Sequence, residues 1–329
     1  MAATIKDVAR LAGVSQSSVC RALAAPDQVR PATRERVHQA AAQLGYRPNR
    51  VARSLSTGRT GNIGLVLPDI ANPFFPGVVK AVQRRAREFD LAVLLADTDE
   101  DPAAELELIR TMTKQVDGFL LCSPRASDKD LRSVSGDTPV VFVNRRVGHL
   151  PSVNFDSADG IRQAITHLAA LGHRRVAYVA GPRSSWVNRE RLRSIRSVAT
   201  GMDLEVVEAG NVTPTLEGGI AVADQILAAS VTAVIAFNDM IGLGLLSGFN
   251  TRGVNVPADI SVVGFDNIPT AGLVSPPLTS VDMPKEQCGR SGVELLVQLL
   301  NDREGRASSR RLLPTQLIVR GSTGPAART

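Results

Sequence analysis

A chain of 329 residues with 43% hydrophobic content can bury a large core and form more than one domain, which excludes an intrinsically disordered protein. Its net charge of +6 is unevenly placed: residues 1–60 hold ten Lys/Arg against three Asp/Glu, leaving 28 against 29 for the rest. A basic end joined to a neutral body indicates a small polyanion-binding domain attached to a body with other work.

Thr4 and Asp7 in TIKD have capping-box spacing and predict a first helix. Ile5, Val8, Ala9 and Ala12 form its inner face, and Gly13 ends it. Val14 spans a tight turn, and Ser15 caps a second helix over QSSVCRALA whose buried stripe is Val19 and Leu23. A third helix is predicted in PATRERVHQAAAQLG, with Val37, Ala41 and Leu44 inward and Gly45 as its cap. Three short helices with such a turn between the first two make a helix-turn-helix unit. The second helix of that unit enters the major groove amino end first. Gln16 and Ser17 would then meet base edges, and Gln can bond adenine through two atoms. Arg21, one turn on, reaches a guanine or a phosphate, while Arg10, Arg34 and Arg36 contact phosphates or nothing.

Next comes RPNRVARSLSTGRTG. Asn49 is a good helix start and Gly58 a good stop, but two turns of isolated helix are barely stable in water. Arg50, Arg53 and Arg59 surround Leu55 there with no acid nearby.

After Gly61 strands alternate with helices. NIGLVLPD, LAVLLAD, GFLLCSP and PVVFVNR read as buried parallel strands, with helices in PFFPGVVKAVQRRAREF and PAAELELIRTMTK. A second set, RVAYVAGP, LEVVEAG, AVIAFND and ISVVGFDN, is separated by four more amphipathic stretches. Two such runs predict two doubly wound lobes with a ligand cleft at the carboxyl ends of the strands. Asn72, Phe74, Asn144, Arg145, Asp156, Asn238, Asp239 and Asp266 fall at strand ends, and Arg191 lies in the helix after VAYVAG. Carboxylates accept paired hydroxyl hydrogens, a guanidinium donates two bonds in a plane, and an aromatic covers an apolar face, so the set suits a hydroxylated ligand. For Asn72, Asn238 and Asp239 a plain helix cap is an equal reading. Trp186, the single tryptophan, is either a ring stacked on the ligand or a core aromatic. The apolar stripe of EQCGRSGVELLVQLL serves either a subunit interface or helix-on-sheet packing.

TIKDVARLAGVSQSSVCRAL followed by PATRERVHQAAAQLGYRPNRVARSL resembles the DNA-binding headpiece of the lactose-repressor family of bacterial transcription regulators, and the similarity continues through the rest of the chain. The resemblance implies an α/β protein with a three-helix headpiece (1–48), a hinge helix and linker (49–60) and a two-lobed effector-binding and dimerisation core (61–329) similar to periplasmic binding proteins. The amino lobe would take about 61–156 plus 284–303, and the carboxyl lobe about 157–280 plus 310–322. DNA contacts are implied for Thr4, Ser15, Gln16, Ser17, Ser18, Arg21, Arg30, Asn49, Arg50, Val51 and Arg53. In that family the hinge helix folds when two copies pair across the operator centre, each pushing a leucine, here Leu55, into the minor groove. Such a wedge costs a few kcal/mol of unstacking and bends the duplex onto more protein surface. Effector contacts are implied for Phe74, Asn144, Asp156, Trp186, Arg191, Asn238 and Asp266, with Arg191 and Asp266 at the principal positions. The chain departs from the family's pattern at Val212, where an aromatic is frequent, at Ser194, where glycine is usual, and in a shortened stretch from 197 to 204, which leaves the ligand open.

The function these features predict is a sequence-specific DNA-binding regulator of the repressor type. A small metabolite, a sugar or related polar molecule bound between the lobes, would control it. The partners are double-stranded palindromic DNA and a second copy of the chain, because two headpieces related by a twofold axis read a palindrome. The alternative is a cytoplasmic small-molecule-binding protein of the periplasmic type whose DNA role is activation. No membrane partner is expected, since no apolar run has membrane-spanning length and MAATIKDVARLAG lacks a signal-peptide core; a cytoplasmic location follows. No metal or cofactor is expected: His38, His149, His167 and His173 lack ligand spacing, and Cys20, Cys122 and Cys288 are far apart and read as buried thiols. No GxSxG, P-loop or HExxH motif occurs, and IGLGLLSG fails the GxGxxG spacing, so an enzyme is not expected.

Overall fold

The computed structural model describes residues 3–24, 28–46, 59–134, 138–302 and 309–327. The chain divides into two compact units, Met1–Gly61 and Asn62–Thr329. The expectations for Asn49, Arg50, Val51, Arg53 and Leu55 lie outside the described residues.

In the first unit α1 (Ile5–Ala12) opens on a complete capping box, with the Thr4 hydroxyl donating to Asp7 at 2.6 Å and the Thr4 amide donating to the same carboxylate at 3.0 Å. Gly13 ends it at φ 63°, a left-handed geometry that costs glycine nothing. In α2 (Gln16–Ala24) the Ser15 hydroxyl accepts from the Ser18 amide at 3.1 Å, and α3 (Pro31–Gln43) starts on proline, whose missing N–H is an orphan there anyway. Val8, Ala12, Val19, Ala22, Val37, Ala40 and Ala41 form a small shared core. Leu44, expected inward, is exposed just past the end of α3; Ala40 takes the inner position one turn earlier. Cys20 is also exposed, on the outer face of α2, whereas Cys122 and Cys288 are buried.

The second unit contains two six-stranded sheets. The first carries β1 (Asn62–Leu67), β2 (Ala92–Asp97), β3 (Gly118–Cys122), β4 (Val140–Val143), β5 (Ser152–Phe155) and β11 (Arg310–Leu313), in the order β11-β5-β4-β3-β1-β2. The second carries β6 (Arg175–Ala180), β7 (Glu205–Asn211), β8 (Ala233–Ala236), β9 (Ser261–Asp266), β10 (Thr279–Asp282) and β12 (Gln316–Ile318), in the order β12-β10-β9-β8-β6-β7. Neighbours pair parallel except β12, which pairs antiparallel to β10. Central strands such as β3 and β9 are buried along their whole length, as a sheet covered by helices on both faces requires. The helices are α4 (Phe74–Glu88), α5 (Pro102–Met112), α6 (Asp128–Val134), α7 (Ser157–Ala170), α8 (Trp186–Thr200), α9 (Leu216–Ala228), α10 (Asp239–Thr251) and α11 (Lys285–Asn301). α9 and α10 cross in backbone contact: a Cβ on Gly244 would lie 2.8 Å from the Gly219 Cα and 2.1 Å from the Leu216 carbonyl oxygen.

The chain passes between the sheets after β5, after β10 and between β11 and β12. This corrects the division of the carboxyl-terminal segment: 310–313 belong with the amino lobe, because β11 pairs with β5 in register Arg310 to Ser152. α11 packs within the amino lobe, with Gly289 against Val78 and Ala81 of α4 and Gly292 against Leu120 and Val143. Its apolar stripe is therefore core.

Candidate DNA-binding surface and effector cleft

On the first unit, Gln16 and Ser17 are exposed on the first turn of α2, and Arg21 is exposed one turn further on, its Nε 3.4 Å from the Ser17 carbonyl oxygen. Ser18 is half-buried, and its hydroxyl shares a 2.8 Å hydrogen bond with that of Ser15. Thr4 is held in its capping box, and exposed Arg30 sits at the start of α3. Gln16, Ser17 and Arg21 are thus the polar tips left uncommitted to the fold's own caps, while Thr4, Ser15 and Ser18 hold helix ends together.

The two lobes of the second unit line a cavity of about 30 Å3, formed from the first lobe by Asn72, Phe74, Glu100, Ser123, Arg125 and Asn144. From the second lobe come Ser185, Arg191, Phe237, Asn238 and Asp266. Of the residues picked from the sequence, Asn72, Phe74, Asn144, Arg191, Asn238 and Asp266 meet there. Asp156 and Trp186 are not in the lining. Asp156 caps α7, accepting from the Asp159 amide at 3.0 Å at the point where the chain leaves for the other sheet. Trp186 packs against the hydrophobic core, between two lining residues, Ser185 and Val187.

Each wall residue is fixed by its element. The Asn72 side chain accepts from the Phe74 amide at 3.0 Å, and Phe74 meets Phe75 and Phe155 edge-on at 5.2 and 6.0 Å between ring centres. Asn144 adopts φ 56° and donates to the Ser123 hydroxyl at 3.0 Å. Asn238 is both wall and cap: it accepts from the Ile241 amide and donates to the Pro214 carbonyl, each at 3.0 Å. The sequence reading missed Glu100, Ser123, Arg125, Ser185 and Phe237, although Ser123 and Arg125 directly follow β3 and satisfy the same strand-end rule.

Arg191 is an enclosed wall residue, at 2% exposure. Its guanidinium lies 4.1 Å from the Phe265 ring centre and 5.0 Å from that of Phe237. Nη1 donates to the Phe237 carbonyl, Nη2 to the Met283 sulfur at 3.3 Å, and Nη2 stands 4.0 Å from Asp266 Oδ1. Its Nε is buried without a hydrogen-bond partner. Burial pushes its pKa down, opposed by Asp266. Asp266 itself sits at φ 104°, a strained geometry for a residue with a side chain, and its carboxyl is pushed up to about 6 by burial against the pull of Arg191 and Lys285. The Lys285 ammonium donates to the Asp266 and Asn267 carbonyls at 2.5 and 3.2 Å, holding that turn.

Beneath the wall lies Asp239, fully buried, accepting from the Ser280 hydroxyl at 2.6 Å and the Ile268 amide at 2.8 Å. Only a glycine at 264 leaves room for it, since a Cβ there would fall 2.2 Å from Asp239 Oδ1. Burial, with repulsion from Asp266, pushes its carboxyl up to about 8 from an ordinary 3.8. The folded state therefore holds a proton that the unfolded chain gives up, so stability is greatest below pH 3.8 on this group's account and declines as pH rises towards 8. Asp239→Asn, which keeps an acceptor for Ile268 and offers Ser280 a donor, is expected to flatten that decline; urea midpoints at pH 5 and 8 measure it. A variant with the parent's pH slope would place the linkage elsewhere.

A helix-turn-helix unit presenting uncommitted polar residues on α2, joined to a two-lobed core with a polar cavity at its strand ends, has the make-up of a ligand-responsive transcription regulator. Residues 4–49 match the family described as bacterial regulatory proteins, lacI family, and residues 165–323 match the periplasmic binding protein-like domain. The chain is 34% identical to the HTH-type transcriptional repressor CytR of Escherichia coli (strain K12), over 98% of this chain and 96% of that one. Among solved structures it is similar to the lac repressor dimer bound to operator and the anti-inducer ONPF (TM-score 0.84, 29% identity, 98% and 100% covered). It is also similar to a complex of the transcriptional regulator CelR with cellobiose (TM-score 0.71, 33% identity, 97% and 99% covered). The chain belongs to the lacI family of bacterial regulatory proteins. It is a DNA-binding transcription regulator and not an enzyme. Among the described residues, no group of three or more His, Cys, Asp or Glu could hold a metal ion, and no helix is long and apolar enough to cross a membrane.

Proposed function

We propose that the protein is a cytoplasmic repressor that binds a palindromic operator as a homodimer and is switched by a small hydroxylated metabolite held in the cleft. The observation that carries this reading is the joining of α2, with Gln16, Ser17 and Arg21 exposed on it, to a core whose cavity collects amides, hydroxyls, aromatics and paired charges from both lobes. A relative seen as a dimer on its operator and another holding cellobiose support it. Dimerisation has a candidate surface on the carboxyl lobe, where Leu273 is 82% exposed beside a groove lined by Met240, Leu243, Leu246 and Val274. Asn49, Arg50, Val51 and Arg53 would grip the duplex beside Leu55 as its wedge. Movement of the lobes about a bound ligand would alter the stability of the paired hinges and so the affinity for DNA. A ligand favouring the DNA-competent state is a corepressor; one favouring the other state is an inducer.

The test is selection from random-sequence DNA with the full-length protein. A twofold-symmetric consensus and steeply salt-dependent binding are expected. A thermal-shift screen of sugars, nucleosides and related metabolites then finds the ligand, because saturation raises stability by several kcal/mol. Enrichment of no sequence, with or without the screened compounds, would overturn the reading.

A further inference from the structure

The charged groups on the cavity wall form two opposed pairs: Arg191 with Asp266 on the carboxyl lobe, and Arg125 with Glu100 on the amino lobe. The second pair is built as a unit. Arg125 is 6% exposed; its Nε and Nη2 donate as a fork to the two Glu100 oxygens, the latter at 2.7 Å, and Nη1 donates to the Ser123 carbonyl at 2.6 Å. The backbone carrying it hangs from a further buried carboxylate, since Glu105 of α5 accepts from the Arg125 amide at 2.7 Å and the Ala126 amide at 3.4 Å. Glu100 is delivered by a loop in which Asp99 and Glu100 are both left-handed, at φ 49° and 61°, with the Glu100 amide bonded to the Pro68 carbonyl at 2.7 Å. Asp97 at the end of β2 and Asp101 flank that loop, and the nearby Asp69 has its carboxyl pushed up by burial and by the charges of Asp97 and Glu100.

We propose that Glu100 makes this cleft selective for uncharged ligands, by occupying the fork of Arg125 that a phosphate or carboxylate group would otherwise take. The proposal rests on the reading of the cavity as the effector site and narrows its ligand class. An anion arriving at Arg125 must displace a bidentate carboxylate already in place and approach Asp266 as well, inside a cavity where charges interact more strongly than in water. A neutral polyol meets neither cost. Glu100 keeps lone pairs for hydroxyl hydrogens, and two of the five guanidinium N–H groups of Arg125 remain for hydroxyl oxygens.

Inorganic phosphate is the probe. The full-length protein, Glu100→Gln, Arg125→Met and the double variant are titrated with sodium phosphate against sodium chloride at equal ionic strength. Melting temperature is read together with the fluorescence of Trp186, which is flanked by the wall residues Ser185 and Val187. The parent is expected to be indifferent. Glu100→Gln should bind phosphate tighter by on the order of tenfold or more, the scale of one newly freed charge-assisted hydrogen bond. Arg125→Met should stay as indifferent as the parent and the double variant should lose the response of Glu100→Gln, which ties it to the guanidinium. A parent that binds phosphate as well as Glu100→Gln does, a folded Glu100→Gln variant with no response, or a double variant that still responds would each overturn the proposal. Should every neutral sugar and nucleoside leave the parent's Trp186 fluorescence unchanged while the phosphate responses follow this pattern, the effector reading fails and the role of Glu100 stands.

Discussion

Arg191→Ala is expected to lower the unfolding free energy of the core by about 3–5 kcal/mol, the cost of removing one partner of a buried ion pair. The side chain is enclosed between the Phe237 and Phe265 rings and joins β9, the Phe237 carbonyl and Met283, so its loss leaves both a void and a stranded carboxylate at Asp266. Denaturant unfolding followed by Trp186 fluorescence gives the size of the loss. Coupling identifies its origin: Asp266→Asn in the Arg191→Ala background should recover part of the loss, because no ionised group then remains to be buried. If the double variant is as unstable as the sum of the single ones, the pair at 4.0 Å contributes nothing and the guanidinium acts only through its packing. The ligand response should vanish in Arg191→Ala. Ligand-free DNA binding should survive, since α1 to α3 share a core of their own.

This double duty at Arg191 was not legible in the sequence, and the reason is physical. Helical register places a residue on a face, but the rings that enclose this guanidinium come from β9 and from the end of β8, distant in sequence. What the sequence does show is local. Alternating strands and helices fix which end of each strand faces a cleft, so Phe74, Asn144, Asn238 and Asp266 could be picked from their positions alone. The same rule fails at Asp156, because β5 ends where the chain crosses to the other sheet. It fails again at RRLL, whose two arginines give no apolar run; pairing with Ser152–Phe155 decides its sheet. Glu100 and Arg125 read as ordinary surface charges until the loop after β2 brings them together.

The DNA contacts offer the larger effect, because a twofold dimer makes every substitution twice. Gln16→Ala removes an exposed amide from the first turn of α2, and the loss of a base contact costs about 1–3 kcal/mol per half-site, or about 2–6 kcal/mol for a dimer. That is roughly 30-fold to 20,000-fold in operator affinity, with relaxed preference at the base pair read and little change on random DNA. Arg36→Ala, on the exposed face of α3, should instead weaken binding to all sequences alike and lower the salt slope by roughly one per headpiece. Ser15→Ala should act by a third route, loosening the start of α2 by about 0.5–2 kcal/mol and lowering headpiece stability along with affinity. Affinity on selected and random DNA at several salt concentrations, with headpiece melting, separates the three. A Gln16→Ala protein that loses equal affinity for selected and random DNA would remove Gln16 from base reading and leave it as a backbone contact.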